Sequence, residues 1–361
     1  MSAWPDDPVG AALRARIEAL VDAARSLPDA DFDALAVALF AWQRGRNAVL
    51  ARVAEALGSG EAPRGADEVP AVPSDVFKVA RVACFEARSE VRAFETSGTT
   101  RDARGRHPFA DTSLYARACV EDAARWLLPA PRYRCVMLAL SEDEAPTSSL
   151  TFMLARFAAR WDPGASATFF VRDGALVVDG VVDAVREARA GGLPVALLGT
   201  TFAFIHLADH LDALGVTLPL PPDSVVMPTG GSKGRAREVP DDALRALLAR
   251  VLDVRPSQVV GEYGMTELSS QAWEVAPGRY RAPPWLRVTT VDANTLQRKE
   301  IGEVGLIRCH DLLNLGSSAA ILTADLGVVH DDGTFRVLGR ASGATPRGCA
   351  RAMDHLLLGT P

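Results

Sequence analysis

Paired cysteines, charge of one sign, lysine and long apolar runs are all scarce in this sequence. Its five cysteines, Cys84, Cys119, Cys135, Cys309 and Cys349, are odd in number, widely spaced and form no C-x-x-C. That argues against a disulfide framework and a zinc knuckle, and it suits a reducing compartment. A formal charge of −6, with no basic run interleaved with aromatics, makes nucleic acid a poor partner. A small anion remains admissible, because local fields matter more than net charge. The amino terminus, MSAWPDDPVG, has neither a basic n-region nor an apolar h-region, and the most apolar stretch, LPVALLGTTFAFIHLAD, is too short for a membrane span and carries His206. A cytoplasmic protein is the expectation. Only three lysines, Lys78, Lys233 and Lys299, stand among 39 basic residues, so candidates for a catalytic lysine are few.

What is present is core-forming material. The chain has 361 residues, 48% of them hydrophobic, enough for one large domain or two to three smaller ones. Apolar positions recur every three to four residues over 10–26 and 31–57, which predicts two helices. The stretch SGEAPRGADEVPAVPSD then breaks the pattern and reads as a linker. Residues 1–70 are therefore expected to form a helical lead-in and linker, 71–340 the core domain and 341–361 a short tail. In the core, strands and helices alternate: YRCVMLAL then LTFMLARFAARW, ATFFV then VVDAVREARA, PVALLG then TFAFIHLADHLDAL, SVVMPTGG then DDALRALLARVL, then QVVGEYG. This pattern predicts an α/β fold with a largely parallel sheet. From about Trp285 short strands and turns take over, and a smaller antiparallel section is expected.

Three loops at strand ends carry candidate chemistry. In FETSGTTRDARGRHPF, the small residues Thr96, Ser97, Gly98, Thr99 and Thr100 let N–H and O–H groups converge on phosphate oxygens. An ordinary polar loop would look the same, and G-x-x-x-x-G-K-[ST] is absent. In MPTGGSKGRARE, Gly230 and Gly231 follow a strand and leave bare backbone on which a flat ring can lie, though a plain turn is the alternative. In VVGEYGMTEL, a hydroxyl (Thr266) stands beside a carboxylate (Glu267). Thr266 can donate to a phosphate while Glu267 holds Mg²⁺ on it; alternatively the pair is a helix cap with a first-turn acid. His206 and His210 have the i,i+4 spacing of a metal pair but lack the glutamate of HExxH and a third ligand.

Together these loops resemble, in order and spacing, the nucleotide motifs of the adenylate-forming superfamily of acyl-CoA synthetases, luciferases and adenylation domains. TSGTT resembles the phosphate loop, TGG the adenine-contacting turn, YGMTE with Tyr263 and Gly264 the most diagnostic motif, ILTADLGVV the strand whose aspartate (Asp325) binds ribose, and VLGRASG the hinge strand with its arginine (Arg340). A closer resemblance is to LuxE-type acyl-protein synthetases, carried by VPSDVFK, FETSGTT, LLGTTF, TGGSKGR and the GR-x-x-G-x-x-x-RGC ending at Cys349. The resemblance implies the superfamily's large-domain fold without its mobile C-terminal domain, since 21 residues follow Arg340. The lysine placed in that domain would then have no counterpart.

The same resemblance implies a chemistry. A carboxylic acid, fatty by analogy, attacks the α-phosphorus of ATP with Mg²⁺ as cofactor, and the acyl-adenylate passes to Cys349 and on to a reductase or carrier protein. Thr266 and Glu267 would serve the α-phosphate and metal, Arg340 would lie near the nucleotide, Asp325 would serve the ribose, and Gly230 and Gly231 the base. GTTF implies a wall between nucleotide and acyl group that includes Thr200, Phe202, Phe204 and His206. RDARGRH departs from the superfamily's glycine and lysine, so the cation on the outer phosphates is left among Arg101, Arg104 and Arg106. Two alternatives stand beside this reading: an aryl-CoA ligase of the phenylacetate type, and a nucleotide-binding protein without catalysis.

Overall fold

The computed structural model describes residues 4–23, 25–57, 62–96, 104–230 and 239–341. The chain divides into two compact units, one of Met1–Glu121, Gly264–Ala272 and Arg281–Pro361, the other of Asp122–Tyr263 and Trp273–Tyr280.

The second unit is the parallel α/β part. Strands Arg134–Leu138, Val195–Thr200 and Val225–Thr229 pair in parallel in that order. Arg134–Leu138 is buried throughout, and so are the first five residues of Val195–Thr200, as strands covered on both faces must be. Helices Ser149–Trp161, Val178–Ala190, Thr201–Ala213 and Asp241–Val251 supply the cover. Ser149–Trp161 begins where Ser148 Oγ accepts from Thr151 N, and it buries Phe152, Leu154, Phe157 and Trp161. Gly199 is required by the sheet, because a Cβ there would lie 2.5 Å from the Leu138 carbonyl oxygen. Two predicted strands are shorter than their sequences suggest. ATFFV contributes a bridge at Phe169 and QVVG one at Val259. The chain after Phe169 instead folds into a hairpin of Val171–Arg172 with Ala175–Leu176, whose turn residues Asp173 and Gly174 have φ of 51° and 78°.

The first unit holds helices Pro8–Ala23, Asp29–Arg44 and Ala48–Ala56 and an antiparallel run of strands, Leu286–Val291, Gly305–Asp311, Ala320–Val329 and Phe335–Arg340. Val72–Pro73 adds in parallel to Ile321 and Leu322. Leu13, Ile17, Phe32, Leu35 and Leu39 pack with Trp285, Leu312 and Leu315 into one buried cluster. The helix expected over 31–57 is two helices. Gly45 follows the first, and Asn47 caps the second by accepting from Val49 N at 3.1 Å and Leu50 N at 3.2 Å. A side chain that competes for backbone donors favours a break at that point. Asn47 Nδ2 also donates to the Ser317 carbonyl at 3.0 Å. The Pro/Gly-rich stretch after the helices is pinned by Arg308, whose guanidinium donates to the carbonyls of Ala66, Asp67 and Val69 at 2.5–2.6 Å.

Asn47 thus caps a helix and satisfies a buried carbonyl at once. Asn47→Ala is expected to lower unfolding free energy by roughly 2 kcal/mol, the sum of a lost cap and a lost buried hydrogen bond. A urea titration with a lower midpoint and unchanged slope would agree; an unchanged midpoint would show that neither bond contributes.

Candidate active site

The turn that carries Thr266 and Glu267 follows the short strand Glu262–Tyr263 and closes with Leu268 N donating to the Met265 carbonyl at 3.1 Å. No helix follows it, so the helix-cap reading of this pair is set aside. Such a turn has no ladder to satisfy its backbone, and side chains do so instead. The Thr266 carbonyl lies 2.8 Å from His107 Nδ1, and the Glu267 carbonyl accepts from Asn314 Nδ2 at 2.8 Å.

The stems of the candidate phosphate loop meet the same turn. Strands Arg92–Glu95 and Arg106–Phe109 are antiparallel, and past their ends Thr96 N donates to the Gly105 carbonyl at 2.9 Å while Gly105 N donates to Thr96 Oγ1 at 2.8 Å. A Cβ at Gly105 would stand 3.1 Å from Thr96 Cγ2 and 3.4 Å from Glu267 Oε1. Thr266 Oγ1 makes a long 3.5 Å contact with the Glu95 carbonyl. Ser97, Gly98, Thr99, Thr100 and Arg101 lie outside the described residues.

Glu267 is 5% exposed. Burial raises its carboxyl to about 7, against the pull of the Lys78 and Arg340 charges; Asp75 pushes the same way as burial. Lys78 ends the 3-10 turn Ser74–Lys78, delivered by the pairing of Val72–Pro73 with Ile321 and Leu322. Beside it Phe77 packs edge-on against His107, with ring centres 5.4 Å apart. Asp325 and Arg340 are register partners across two strands, with Arg340 Nε 3.5 Å from Asp325 Oδ1. Of the arginines considered for the outer phosphates, Arg106 is committed to Glu90 at 3.0 Å and Arg104 sits 3.6 Å from Glu95. In this unit the structure therefore gathers Thr96, Thr266, Glu267, Arg340 and Asp325. It adds Lys78, His107 and Asn314, which the sequence did not single out as site residues.

In the second unit Gly230 ends strand Val225–Thr229 with φ of 73°, a conformation that favours glycine. Its partner Gly231 lies outside the described residues. Thr229 Oγ1 donates to the Glu262 carboxyl, which burial raises from 4.5 to about 7. The strand Glu262–Tyr263 is aimed by Glu274, which accepts from Gly261 N at 2.7 Å and from Arg245 Nη2 at 2.6 Å. Tyr263 lies 6.2 Å from the Tyr280 ring. Thr200 Oγ1 accepts from Ala203 N at 3.3 Å and so caps helix Thr201–Ala213. Phe202 and His206 share an exposed face of that helix. Phe204, expected beside them in the pocket wall, is instead fully buried in the core, because the helical period turns it to the opposite side.

A family model described as acyl-protein synthetase, LuxE, matches residues 61–358. The chain belongs to the LuxE acyl-protein synthetase family. A curated relative, the long-chain-fatty-acid–luciferin-component ligase of Aliivibrio fischeri, is 20% identical over 303 residues, which cover 81% of this chain and 79% of the relative. Among solved structures, 2-hydroxyisobutyryl-CoA ligase in complex with 2-HIB-AMP aligns with a TM-score of 0.63 at 15% identity, over 87% of this chain and 69% of that one. Its open conformation with 2-HIB-AMP and CoA gives 0.62 at 16% identity, over 90% and 78%. ATP-bound MatB from Rhodopseudomonas palustris gives 0.51 at 16% identity over 71% of this chain, which spans 49% of MatB. The LuxE-family chain accordingly has the adenylate-forming α/β fold that its motifs implied. Among the described residues no helix is long and apolar enough to cross a membrane.

The Glu262 carboxyl yields a pH test. Its folded pKa of about 7 exceeds its ordinary 4.5, so its contribution to stability is complete below about 4.5 and is lost as pH rises through 7. Glu262→Gln still accepts from Thr229 and has no charge to desolvate. Its Tm is expected to exceed the wild type's by several degrees at about pH 8 and to converge with it near pH 4.5. Equal melting curves at both values would show that the buried charge costs nothing.

Proposed function

We propose that this chain activates a carboxylic acid, a fatty acid by kinship, as acyl-adenylate with ATP, and passes the acyl group to Cys349 and then to a partner protein. The observation that carries the proposal is the turn Thr266–Glu267, which presents a buried carboxylate against the stem of the loop at Thr96 and Gly105, within the fields of Lys78 and Arg340. A carboxylate oxygen of the acid forms a bond to the α-phosphorus, the bond from that phosphorus to the bridging oxygen breaks, and pyrophosphate leaves with the electron pair. Two anions meet in this step, so fixed donors and positive charge have to lie along the path.

Mg²⁺ fits the donors available. Among the described residues no group of three or more His, Cys, Asp or Glu side chains could hold a metal alone. One hard carboxylate, Glu267, is the donor expected where substrate phosphates complete the shell. When bound there, the ion would neutralise phosphate charge. Thr266 then donates its hydroxyl to an α-phosphate oxygen, from a position where it gives up little, since its present contact is long. Asp325 receives the ribose hydroxyls, held opposite Arg340. Gly230, Gly231 and Tyr263 take the base, and Thr200, Phe202 and His206 border the acyl group.

The state of the other cysteines supports thiol transfer through Cys349. Cys84, Cys119, Cys135 and Cys309 are all buried. Burial pushes the Cys84 and Cys135 thiols up to about 12 and raises Cys309 as well, which suppresses the nucleophilic thiolate. Cys349 lies outside the described residues, between Arg347 and Arg351 in the sequence. Its sulfur attacks the acyl carbonyl and AMP leaves, giving a thioester still activated for a reductase or carrier protein.

Two measurements test this. The purified chain with ATP, Mg²⁺ and a panel of fatty and aryl acids is expected to release pyrophosphate, and Glu267→Gln to do so at a rate lower by about a hundredfold. Absence of release with every acid despite ATP binding would favour the non-catalytic alternative. Cys349→Ser is expected to form acyl-AMP at nearly the wild-type rate and to lose hydroxylamine-labile acylation in intact-mass spectra. Acylation that persists in the serine variant would move the acceptor elsewhere, and acylation of free CoA alone would favour the CoA-ligase alternative.

A further inference from the structure

We infer that His107 and Asn314 are positioning residues that fix the Thr266–Glu267 turn for adenylation, and that the amino-terminal helices are anchored to that turn through the loop 311–319. The inference rests on the functional reading above. Two consecutive carbonyls of the turn are held from separate parts of the chain, Thr266 by His107 and Glu267 by Asn314, each at 2.8 Å. A carbonyl can only accept, so the proton on His107 resides at Nδ1, and Nε2 accepts from the Ser317 hydroxyl at 2.7 Å. The ring is thereby locked at both ends, and Phe77 and Phe109 pack against it at 5.4 and 4.4 Å between ring centres. With both nitrogens committed, His107 is unsuited to act as a general base.

The second anchor is as fully engaged. Asn314 Nδ2 also donates to the Ser318 carbonyl at 3.0 Å, and Asn314 Oδ1 accepts from Ser269 Oγ, two residues beyond Glu267, at 2.7 Å. The loop is in turn gripped by the helices. Gln43 Nε2 donates to the carbonyls of Asn314 and Leu315, Gln43 Oε1 accepts from Ala319 N, and Asn47 Nδ2 donates to the Ser317 carbonyl. Every one of these groups is buried. In such surroundings an unsatisfied partner is costly, so the network has one good arrangement, and the carboxylate of Glu267 inherits its position from it. Outer partners of this kind typically change affinity or rate by about 10–100-fold when removed.

His107→Phe retains the ring packing and removes both hydrogen bonds. In this variant kcat for pyrophosphate release is expected to fall about 10–100-fold. The KM for the acid should stay within about twofold, and the Mg²⁺ concentration for half-maximal rate should rise about tenfold. His107→Gln, whose amide can donate to Thr266 and accept from Ser317, should recover most of the loss. Amide exchange over 264–271 should quicken in His107→Phe and not elsewhere, a readout independent of turnover. A folded His107→Phe protein with wild-type kcat, Mg²⁺ requirement and exchange would overturn the inference while leaving the function intact. A wild type that releases no pyrophosphate would instead overturn the functional reading and this inference with it. Should His107→Phe fail to fold, Ser317→Ala removes only the outer bond; a several-fold loss in kcat supports the inference, and an unchanged kcat and Mg²⁺ requirement overturns it.

Discussion

A carboxylate buried to 5% exposure, as Glu267 is, resists ionisation unless positive charge is brought to it, and much of the first unit is arranged around that conflict. Burial wins in the isolated chain, since the carboxyl stays near 7 despite Lys78 and Arg340. A carboxyl poised there stays acidic enough to meet a divalent ion near neutral pH and is not shielded by bulk water. Under the proposed function two like charges, substrate carboxylate and triphosphate, approach beside it, and a water-filled site would weaken every interaction that helps them.

The apparatus that holds the carboxylate is polar, whereas the second unit is held by packing. Around the strands Arg134–Leu138 and Val195–Thr200 the core is aliphatic and aromatic, with Val136, Leu138, Leu197 and Phe204 wholly enclosed. Around the turn the buried groups are Ser269, Ser270, Asp311, Asn314 and Ser317. Asp311 accepts from Ser269 N and Ser270 Oγ at 2.8 and 2.7 Å, and even so burial lifts it to about 6. Dispersion is tolerant of small shifts, but a fully bonded network is not, and a group that must sit within a fraction of an ångström is better fixed by the second.

What could be read in the sequence follows from range. Buried parallel strands announce themselves as continuous apolar runs, and helix Ser149–Trp161 announces itself by period, because both signals are local. The Asp173–Gly174 hairpin and the break at Asn47 were also local and were open to a stricter reading of turn and cap residues. YGMTE was legible through resemblance, since a turn of five residues has too little pattern of its own. His107, Gln43 and Asn314 were not legible. Their partners lie 159, 271 and 47 residues away, and a buried histidine, glutamine or asparagine looks in sequence like any surface polar residue. Phe204 was misplaced because a resemblance fixes a segment and does not fix which face of its helix points inward.

The path of one strand joins the groups that the proposed chemistry would use. Ala320–Val329 pairs at its start with Val72–Pro73, which hands the chain to the turn ending in Lys78, and it carries Asp325 opposite Arg340 further along. Segments far apart in sequence are thus joined to one strand, and the Lys78 and Arg340 charges that act on Glu267 come from both of its flanks. The 3-10 turn cannot drift from this strand without breaking the contact of Phe77 with His107, which in turn holds Thr266. Lysine is scarce in this chain, and the Lys78 ammonium pairs with Asp75 at 2.7 Å within its own 3-10 turn. Asp75 both pairs with Lys78 and pushes the Glu267 carboxyl upward, so the positive field that reaches Glu267 is weaker than the lysine alone would give, and burial prevails.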